Sequence, residues 1–140
     1  MTEKLKLSLY RFDPAKDKRP YMADYEIPYN PSGNMMVIDA IRKTQELDST
    51  ITFRRSCGQG VCGSDGVNMN GLNGLACITP VSKVATANRL EVRPLPGLPV
   101  IKDLIVDMKP FYDQYEKVKP FLDNDEEVKP GHERLQSPKD

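Results

Sequence analysis

The order of the predicted elements indicates an α+β fold of the β-grasp type, in which one sheet packs on one helix. Two strands come first, then a helix, a glycine-rich loop and further short strands. Leu5, Leu7 and Leu9 alternate with polar residues, which is the period of a half-buried strand. A second strand is expected around 21–27, after a turn at 13–17. Two strands with a short connection most simply form an antiparallel hairpin.

The helix is predicted from about Met35 to Leu47. Ser32 or Asn34 is expected to cap its start, because short polar side chains accept hydrogen bonds from the first free amides of a helix. The apolar residues of this segment fall on one helical face, as a helix packed on a sheet requires; they are Val37, Ile38, Ala40 and Ile41.

The second half of the chain is expected to complete the sheet and then leave it. Short strands are predicted at 67–70 and 75–79 around an Asn-Gly turn, and another at 90–92. Apolar residues spaced by three and four predict an amphipathic helix over 101–118, broken or kinked near Pro110. From 123 onward the chain is charged and proline-spaced. The predicted organisation is a domain at 1–100, a helical extension at 101–122 and a polar linker at 123–140.

Composition excludes several classes of protein. Lys and Arg total 20 and Asp and Glu total 20, so net charge implies no nucleic-acid partner. No stretch approaches the roughly 18 apolar residues of a membrane span, so we expect no direct membrane insertion. The first residues lack the features of a secretory signal or a transit peptide. A soluble, cytoplasmic chain is therefore expected.

The main chemical feature is a glycine-rich loop with Cys57, Cys62 and Asp65, followed after eleven intervening residues by Cys77. The spacing C-x4-C-x2-D-x11-C is that of a plant-type [2Fe–2S] site with an oxygen ligand in third place. Thiolates are soft donors that suit iron–sulfur clusters, and glycines let the backbone wrap a compact inorganic core. Cys77 is expected on a separate strand that closes the site from the far side. Electron transfer is the function this pattern favours.

Alternatives remain open at this point. A zinc site usually shows C-x2-C pairs, which are absent, and inert buried thiols are common. Three cysteines cannot all pair within one chain, so a disulfide framework is a poor interpretation. With three thiolates, a four-ligand cluster needs an oxygen ligand: water, or one of Asp65, Ser64, Ser56 and Thr79. Asp65 is favoured by its position and its charge, and a solvated loop aspartate is the alternative.

The chain also resembles a known family, the iron–sulfur subunits of succinate dehydrogenase. The resemblance is carried by the run from Phe53 to Gly66, by Asn73-Gly74-Leu75-Ala76-Cys77-Ile78-Thr79-Pro80, and by the proline-rich stretch that begins at Arg93. It covers essentially the whole chain but only the N-terminal part of that subunit. An aspartate at the third ligand position is similar to the bacterial succinate dehydrogenase form.

The resemblance implies a plant-type ferredoxin-like domain that holds a [2Fe–2S] cluster through Cys57, Cys62, Asp65 and Cys77. It implies that electrons pass singly from FAD on the flavoprotein subunit, which oxidises succinate, towards quinone at the membrane-anchor subunits. This chain would contain no catalytic residue and would be a peripheral subunit on the cytoplasmic side of the bacterial inner membrane. The [4Fe–4S] and [3Fe–4S] clusters of the family belong to a C-terminal domain, so we expect an isolated N-terminal domain.

Two features qualify this interpretation. The family usually has Arg-Glu where this chain has Gly58-Gln59, so two charges beside the cluster are absent. Arg54 and Arg55 either offset the negative charge of the cluster or face solvent. The rival functions are a stand-alone ferredoxin-like carrier and a non-redox β-grasp interaction module with a zinc or empty site.

Overall fold

The computed structural model describes residues 3–122 together with residues 131, 137 and 138. The chain divides into two units, Met1–Met108 and Lys109–Asp140. Most of the predicted polar linker at 123–140 lies outside the described residues, so the structure says nothing about it.

The first unit contains a five-stranded mixed sheet, which confirms the predicted α+β fold. Its spatial order is β2-β1-β5-β3-β4. β1 pairs antiparallel with β2 and parallel with β5, and β3 pairs antiparallel with both β5 and β4. The strands are β1 (Glu3–Arg11), β2 (Tyr21–Tyr29), β3 (Gly66–Met69), β4 (Leu72–Leu75) and β5 (Arg89–Arg93).

The sequence alternation of β1 places its leucines in the core. Leu5, Leu7 and Leu9 are fully buried, whereas Lys6 lies on the opposite, polar face and forms an ion pair with Asp24 on β2. Because β1 lies between two hydrogen-bonded neighbours, its inward side chains form the centre of the core. The predicted hairpin of β1 and β2 is confirmed.

Helix α1 (Val37–Leu47) supplies the other side of this core. Val37, Ala40, Ile41 and Thr44 are buried, at the spacing of one helical face. The expected capping by Ser32 or Asn34 is wrong, because the N-cap is Met36, whose side chain makes no capping hydrogen bond; its amide donates to Oδ2 of Asp39 at 3.1 Å. Instead, the backbone amides of Val37 and Ile38 donate to the carbonyl oxygens of Thr79 and Ala76 at 2.9 and 3.0 Å.

Because the carbonyls of residues 76 and 79 accept hydrogen bonds from α1, the strand predicted at 75–79 is wrong. β4 ends at Leu75, and the following residues turn so that their carbonyls meet the free amides at the start of α1. The turn between β3 and β4 is at Asn70-Gly71, where φ is +47° and +90°. Positive φ at both central residues is typical of a two-residue hairpin turn. Cys77 therefore lies in a turn and not on a strand, contrary to the prediction.

The helix predicted over 101–118 is also wrong in its first half. β6 (Val100–Lys102) and β7 (Ile105–Val106) form a small antiparallel hairpin there. Its turn contains Asp103 at φ +47°, with the side chain buried against β1. These contacts with distant residues override the helical spacing of the apolar side chains.

The last helix of the described chain, α3 (Lys109–Val118), begins after this hairpin, and none of its residues is buried. Pro110 is its second residue, a position where the missing amide costs nothing, so it starts the helix instead of kinking it. A one-turn helix, α2 (Val81–Val84), was not predicted. No helix of residues 3–122 is both long enough and apolar enough to cross a bilayer.

Candidate metal centre

The cysteine loop lies between Phe53 and β3 and has no regular secondary structure. Its path depends on Gly58, Gly60 and Gly63, whose φ angles are +68°, +74° and +70°. These angles lie in the left-handed region, where residues with a Cβ are strained. A Cβ on Gly60 would also lie 3.0 Å from the side chain of Ile78. The loop is thus folded back against the turn that carries Cys77.

Cys57 is surrounded by backbone donors. The amides of Gln59, Val61 and Cys62 point at its sulfur, with N···S distances of 3.4, 3.3 and 3.3 Å. In a metal site, three donors converging on one sulfur withdraw charge from the ligand. The tight wrapping predicted from the glycines is therefore present around this cysteine.

Cys62 is exposed, and its sulfur lies 3.2 Å from the hydroxyl oxygen of Ser64. The hydrogen bond from Ser64, aided by backbone donors, lowers the pKa of Cys62 to about 6. Cys62 is therefore largely a thiolate near neutral pH, which is the form that binds iron. Ser64, one of the alternative oxygen ligands, already interacts with this sulfur.

Cys77 is buried and is positioned by α1, whose first amides bind the carbonyls of Ala76 and Thr79 on either side of it. Burial raises the pKa of Cys77, and the nearby carboxylate of Asp65 raises it further. The amide of Gly60 donates to its sulfur and acts in the opposite direction. A buried thiol beside a carboxylate is an unfavourable place for two negative charges unless a cation lies between them.

Asp65 is 5% exposed, so it is not a solvated loop residue. Its Oδ2 accepts a hydrogen bond from the Cys77 amide at 2.6 Å. Its Oδ1 is buried and has no hydrogen-bond partner among the described residues. A buried carboxylate oxygen without a partner is costly and requires an explanation. Coordination to a metal ion supplies one.

The four predicted ligands fall into two pairs, Cys57 with Cys62 and Asp65 with Cys77. Contacts with Cys57 contribute to the lowered pKa of Cys62, and the charges of Asp65 and, across the two pairs, of Cys57 contribute to the raised pKa of Cys77. In the part of the chain that the structure describes, no three His, Cys, Asp or Glu side chains converge on a single metal position. A [2Fe–2S] cluster distributes four ligands over two irons, so paired ligands fit it better than they fit one zinc ion.

The other residues considered from sequence are placed differently. The hydroxyl of Thr79 donates to the Leu75 carbonyl at 2.8 Å, and Ser56 is exposed. Arg54 and Arg55 are both exposed, and Arg54 donates through Nη1 to the carbonyl of Val106 at 2.8 Å. Sequence analysis did not anticipate the contribution of β6–β7 to this region.

Comparison with known proteins identifies the family of the chain. A family model described as a 2Fe-2S iron-sulfur cluster binding domain matches residues 6–113. The succinate dehydrogenase iron-sulfur subunit of Coxiella burnetii is 50% identical over 133 residues, which cover 95% of this chain and 55% of the relative. The mitochondrial succinate dehydrogenase [ubiquinone] iron-sulfur subunit 1 of Oryza sativa is 43% identical over 112 residues, covering 79% of this chain and 39% of the relative.

Two solved structures have a similar fold. A chain of the Mycobacterium smegmatis Sdh1 complex in the apo form has a TM-score of 0.79 at 28% identity, covering 97% of this chain and 55% of that one. A hypothetical protein from Helicobacter pylori, at 21% identity and a TM-score of 0.57 over 86% of this chain and 22% of that one, shares the fold alone. The chain spans about half the length of the curated relatives it matches.

Proposed function

Because this chain belongs to the family of 2Fe-2S iron-sulfur cluster binding domains, we propose that it is an electron carrier with a [2Fe–2S] cluster held by Cys57, Cys62, Asp65 and Cys77. The observation that carries the ligand assignment is the buried, unpartnered Oδ1 of Asp65 beside Cys77. The second carboxylate oxygen is occupied by the Cys77 amide, so Asp65 would bind through one oxygen only. Carboxylate is a harder ligand than thiolate, so the two irons would have unequal environments.

When bound, the cluster supplies one-electron chemistry, and the chain determines how favourable reduction is. Reduction of a bound cluster would add negative charge, and the three amides at Cys57 would stabilise that charge. Burial of Asp65 and Cys77 excludes water from one side of the site. Cys62, in contrast, is exposed, so electrons would pass through the side of the site that carries it.

The relatives suggest the place of this carrier in a larger enzyme. We propose that the chain acts within a succinate dehydrogenase, accepting electrons singly from FAD on a flavoprotein subunit and passing them towards quinone. The chain would have no substrate site of its own, and [4Fe–4S] and [3Fe–4S] clusters and a membrane anchor would belong to other parts of the assembly. It would be peripheral on the cytoplasmic side of a bacterial inner membrane. Support comes from the 50% identity to a subunit with this name over most of the chain.

Two neutral residues at the start of the loop distinguish this chain from the family pattern. Gly58 and Gln59 are both exposed and carry no charge. Gly58 is at φ +68°, so a residue with a side chain would be strained there. The amide of Gln59 donates to Cys57, so this position acts through its backbone.

The ligand assignment is tested by comparing Asp65→Cys and Asp65→Ala with the parent protein. We expect Asp65→Cys to keep the iron with an altered spectrum, because thiolate replaces carboxylate, and Asp65→Ala to lose iron. Asp24→Ala, at an exposed aspartate on the polar face of the sheet, is the matched control. If both Asp65 variants have the iron content and spectra of the parent, Asp65 is not a ligand.

The rival functions are separated by composition and by partner. A loaded chain should contain about two irons and two acid-labile sulfides. Zinc without sulfide would indicate a non-redox module. A loaded chain that fails to bind the flavoprotein subunit of a succinate dehydrogenase would instead favour a stand-alone carrier.

A further inference from the structure

The residues that enter the cysteine loop, Thr52 to Arg54, belong to no regular element. Polar contacts from the β6–β7 hairpin hold them at both ends. Thr52 donates through its amide and its hydroxyl to Oδ2 of Asp103, both at 2.9 Å. Arg54 donates through Nη1 to the Val106 carbonyl at 2.8 Å. The start of the loop is thus fixed by a hairpin that lies about fifty residues later in the sequence.

The hairpin itself is anchored in the core through Asp103. This residue is 1% exposed, and its Oδ1 accepts from Nε of Arg11 and from the amide of Phe12, both at 3.0 Å. Its own amide donates to the Phe12 carbonyl at 2.9 Å. The Asp103 carboxylate therefore accepts four hydrogen bonds, two from the end of β1 and two from Thr52.

Arg11 is held in turn by the loop after α1. Its Nη1 donates to Asp48 and its Nη2 to Thr50, both at 2.7 Å. Burial alone would lower the pKa of Arg11, but the hydrogen bonds with Asp48 and Asp103 outweigh burial and raise it. Arg11 stays charged at every pH at which the protein is folded, so the anchor does not loosen by titration of this residue.

The hairpin also reaches the third ligand. A cavity of about 10 Å³ is lined by Ser64 and Asp65 together with Phe53, Arg54 and Leu104. Leu104 follows Asp103 directly and is buried. Leu104, Arg54 and Asp65 therefore border the same very small space, and a displacement of the hairpin would change the surroundings of that carboxylate.

We propose that the β6–β7 hairpin, anchored by Asp103 and linked to the loop through Arg54, positions Asp65 for iron binding. This inference rests on the proposed [2Fe–2S] function. Arg54 and Asp103 are positioning residues, because they act through Thr52, Leu104 and the loop and do not touch the iron. This positioning role of Arg54 differs from a charge effect, in which Arg54 would only offset the charge of the cluster.

Two neighbouring arginines provide a matched test on the loaded protein. Arg54→Gln removes one positive charge and the hydrogen bond to Val106, whereas Arg55→Gln removes one charge from an exposed residue that makes no hydrogen bond to the hairpin in residues 3–122. Arg54→Lys restores the charge and one donor. The readouts are the reduction potential, the electron paramagnetic resonance (EPR) spectrum of the reduced protein and the half-time of iron loss to a chelator.

We expect Arg54→Gln to change the spectrum and the potential more than Arg55→Gln does, and Arg54→Lys to restore both towards the parent values. Removing groups that orient metal ligands weakens metal binding by 10- to 100-fold, so the half-time of iron loss should fall about 10-fold in Arg54→Gln. Equal changes in Arg54→Gln and Arg55→Gln would show that charge alone matters and would overturn the proposal.

Asp103→Asn provides a second test from the other end of the hairpin. The amide of Asn keeps the shape of the Asp103 side chain but replaces one carboxylate oxygen with an NH2 group, which donates. The two donors that now bind that oxygen would lose their acceptor, so the hydrogen bonds that anchor the hairpin should weaken. We expect the same spectral change as in Arg54→Gln, and no change in Asp13→Asn, which removes the partner of Lys102 at 3.1 Å on the partly exposed side of the hairpin.

If Asp103→Asn does not fold, the arginine series decides the question alone. A folded Asp103→Asn protein with the parent's spectrum and potential would contradict the proposal. A parent protein without any reduced-cluster signal would contradict the proposed function itself. A normal parent signal that none of these substitutions moves would contradict only the positioning role.

Discussion

Gly60 is the position where the structure predicts the largest effect of adding a single methyl group to the cysteine loop. At φ +74°, Gly60→Ala forces an L side chain into the left-handed region, which costs about 1 kcal/mol. The new Cβ would also lie 3.0 Å from Cδ1 and Cγ2 of Ile78. Ile78 is partly exposed and is able to rotate, and an off-rotamer side chain costs about 0.5–1.5 kcal/mol. The free energy of unfolding should therefore fall by about 2 kcal/mol in total.

Gly58 provides the matched control, because its φ is +68° and a Cβ there would meet nothing within 4 Å. Gly58→Ala should lower the free energy of unfolding by only the backbone cost, about 1 kcal/mol. The assay is denaturant unfolding of the cluster-loaded variants, followed by circular dichroism and by visible absorption. If Gly60→Ala is no less stable than Gly58→Ala, Gly60 does not lie as close to the side chain of Ile78 as the structure shows.

Three further predictions concern the core, the buried ion pair and the last helix. Leu7→Ala should cost about 3 kcal/mol of unfolding free energy, whereas Leu72→Ala, at a largely exposed leucine, should cost less than about 0.5 kcal/mol, as measured by denaturant unfolding. Hydrogen bonds from Thr50, Tyr25 and Arg11 lower the pKa of Asp48 in the folded protein. The stability that Asp48 contributes is therefore complete above its ordinary pKa of 3.8 and is lost as the pH falls through its lower pKa in the folded state. Stability should thus decline below about pH 4, and less steeply in Asp48→Asn; equal slopes would contradict the contact. Asp113→Asn removes the exposed ion pair with Lys109 and should change the melting temperature by no more than about 2 °C, since such pairs contribute little.

The parts of the fold that sequence predicted correctly are those determined by local pattern. Alternating leucines located β1, and the apolar face of Val37 to Ile41 located α1. Residue type and spacing predict the loop ligands, because a compact cluster requires donors and glycines close together in sequence. The structure places Cys57, Cys62, Asp65 and Cys77 in the same region, as two neighbouring pairs.

The errors occurred where distant contacts decide the local structure. Asn-Gly occurs at both 70–71 and 73–74, and the turn forms at the first. This choice agrees with the pairing of β3 with β5 and with the hydrogen bonds from the first amides of α1 to the carbonyls of residues 76 and 79. The apolar spacing of 101–108 suggested a helix, but Asp103 forms four hydrogen bonds with residues 11, 12 and 52 that a helix would break. Such partners lie up to 92 residues away, so no local window reveals them.

The central claim is that Asp65 and three cysteines hold a [2Fe–2S] cluster. The most direct measurement is the EPR spectrum of the protein after anaerobic purification and reduction with dithionite, with iron and sulfide measured on the same sample. We predict about two irons and two sulfides per chain and one unpaired electron per cluster after reduction. A sample that contains iron and sulfide in these amounts but gives no signal on reduction would contradict the claim, and so would a sample that contains only zinc.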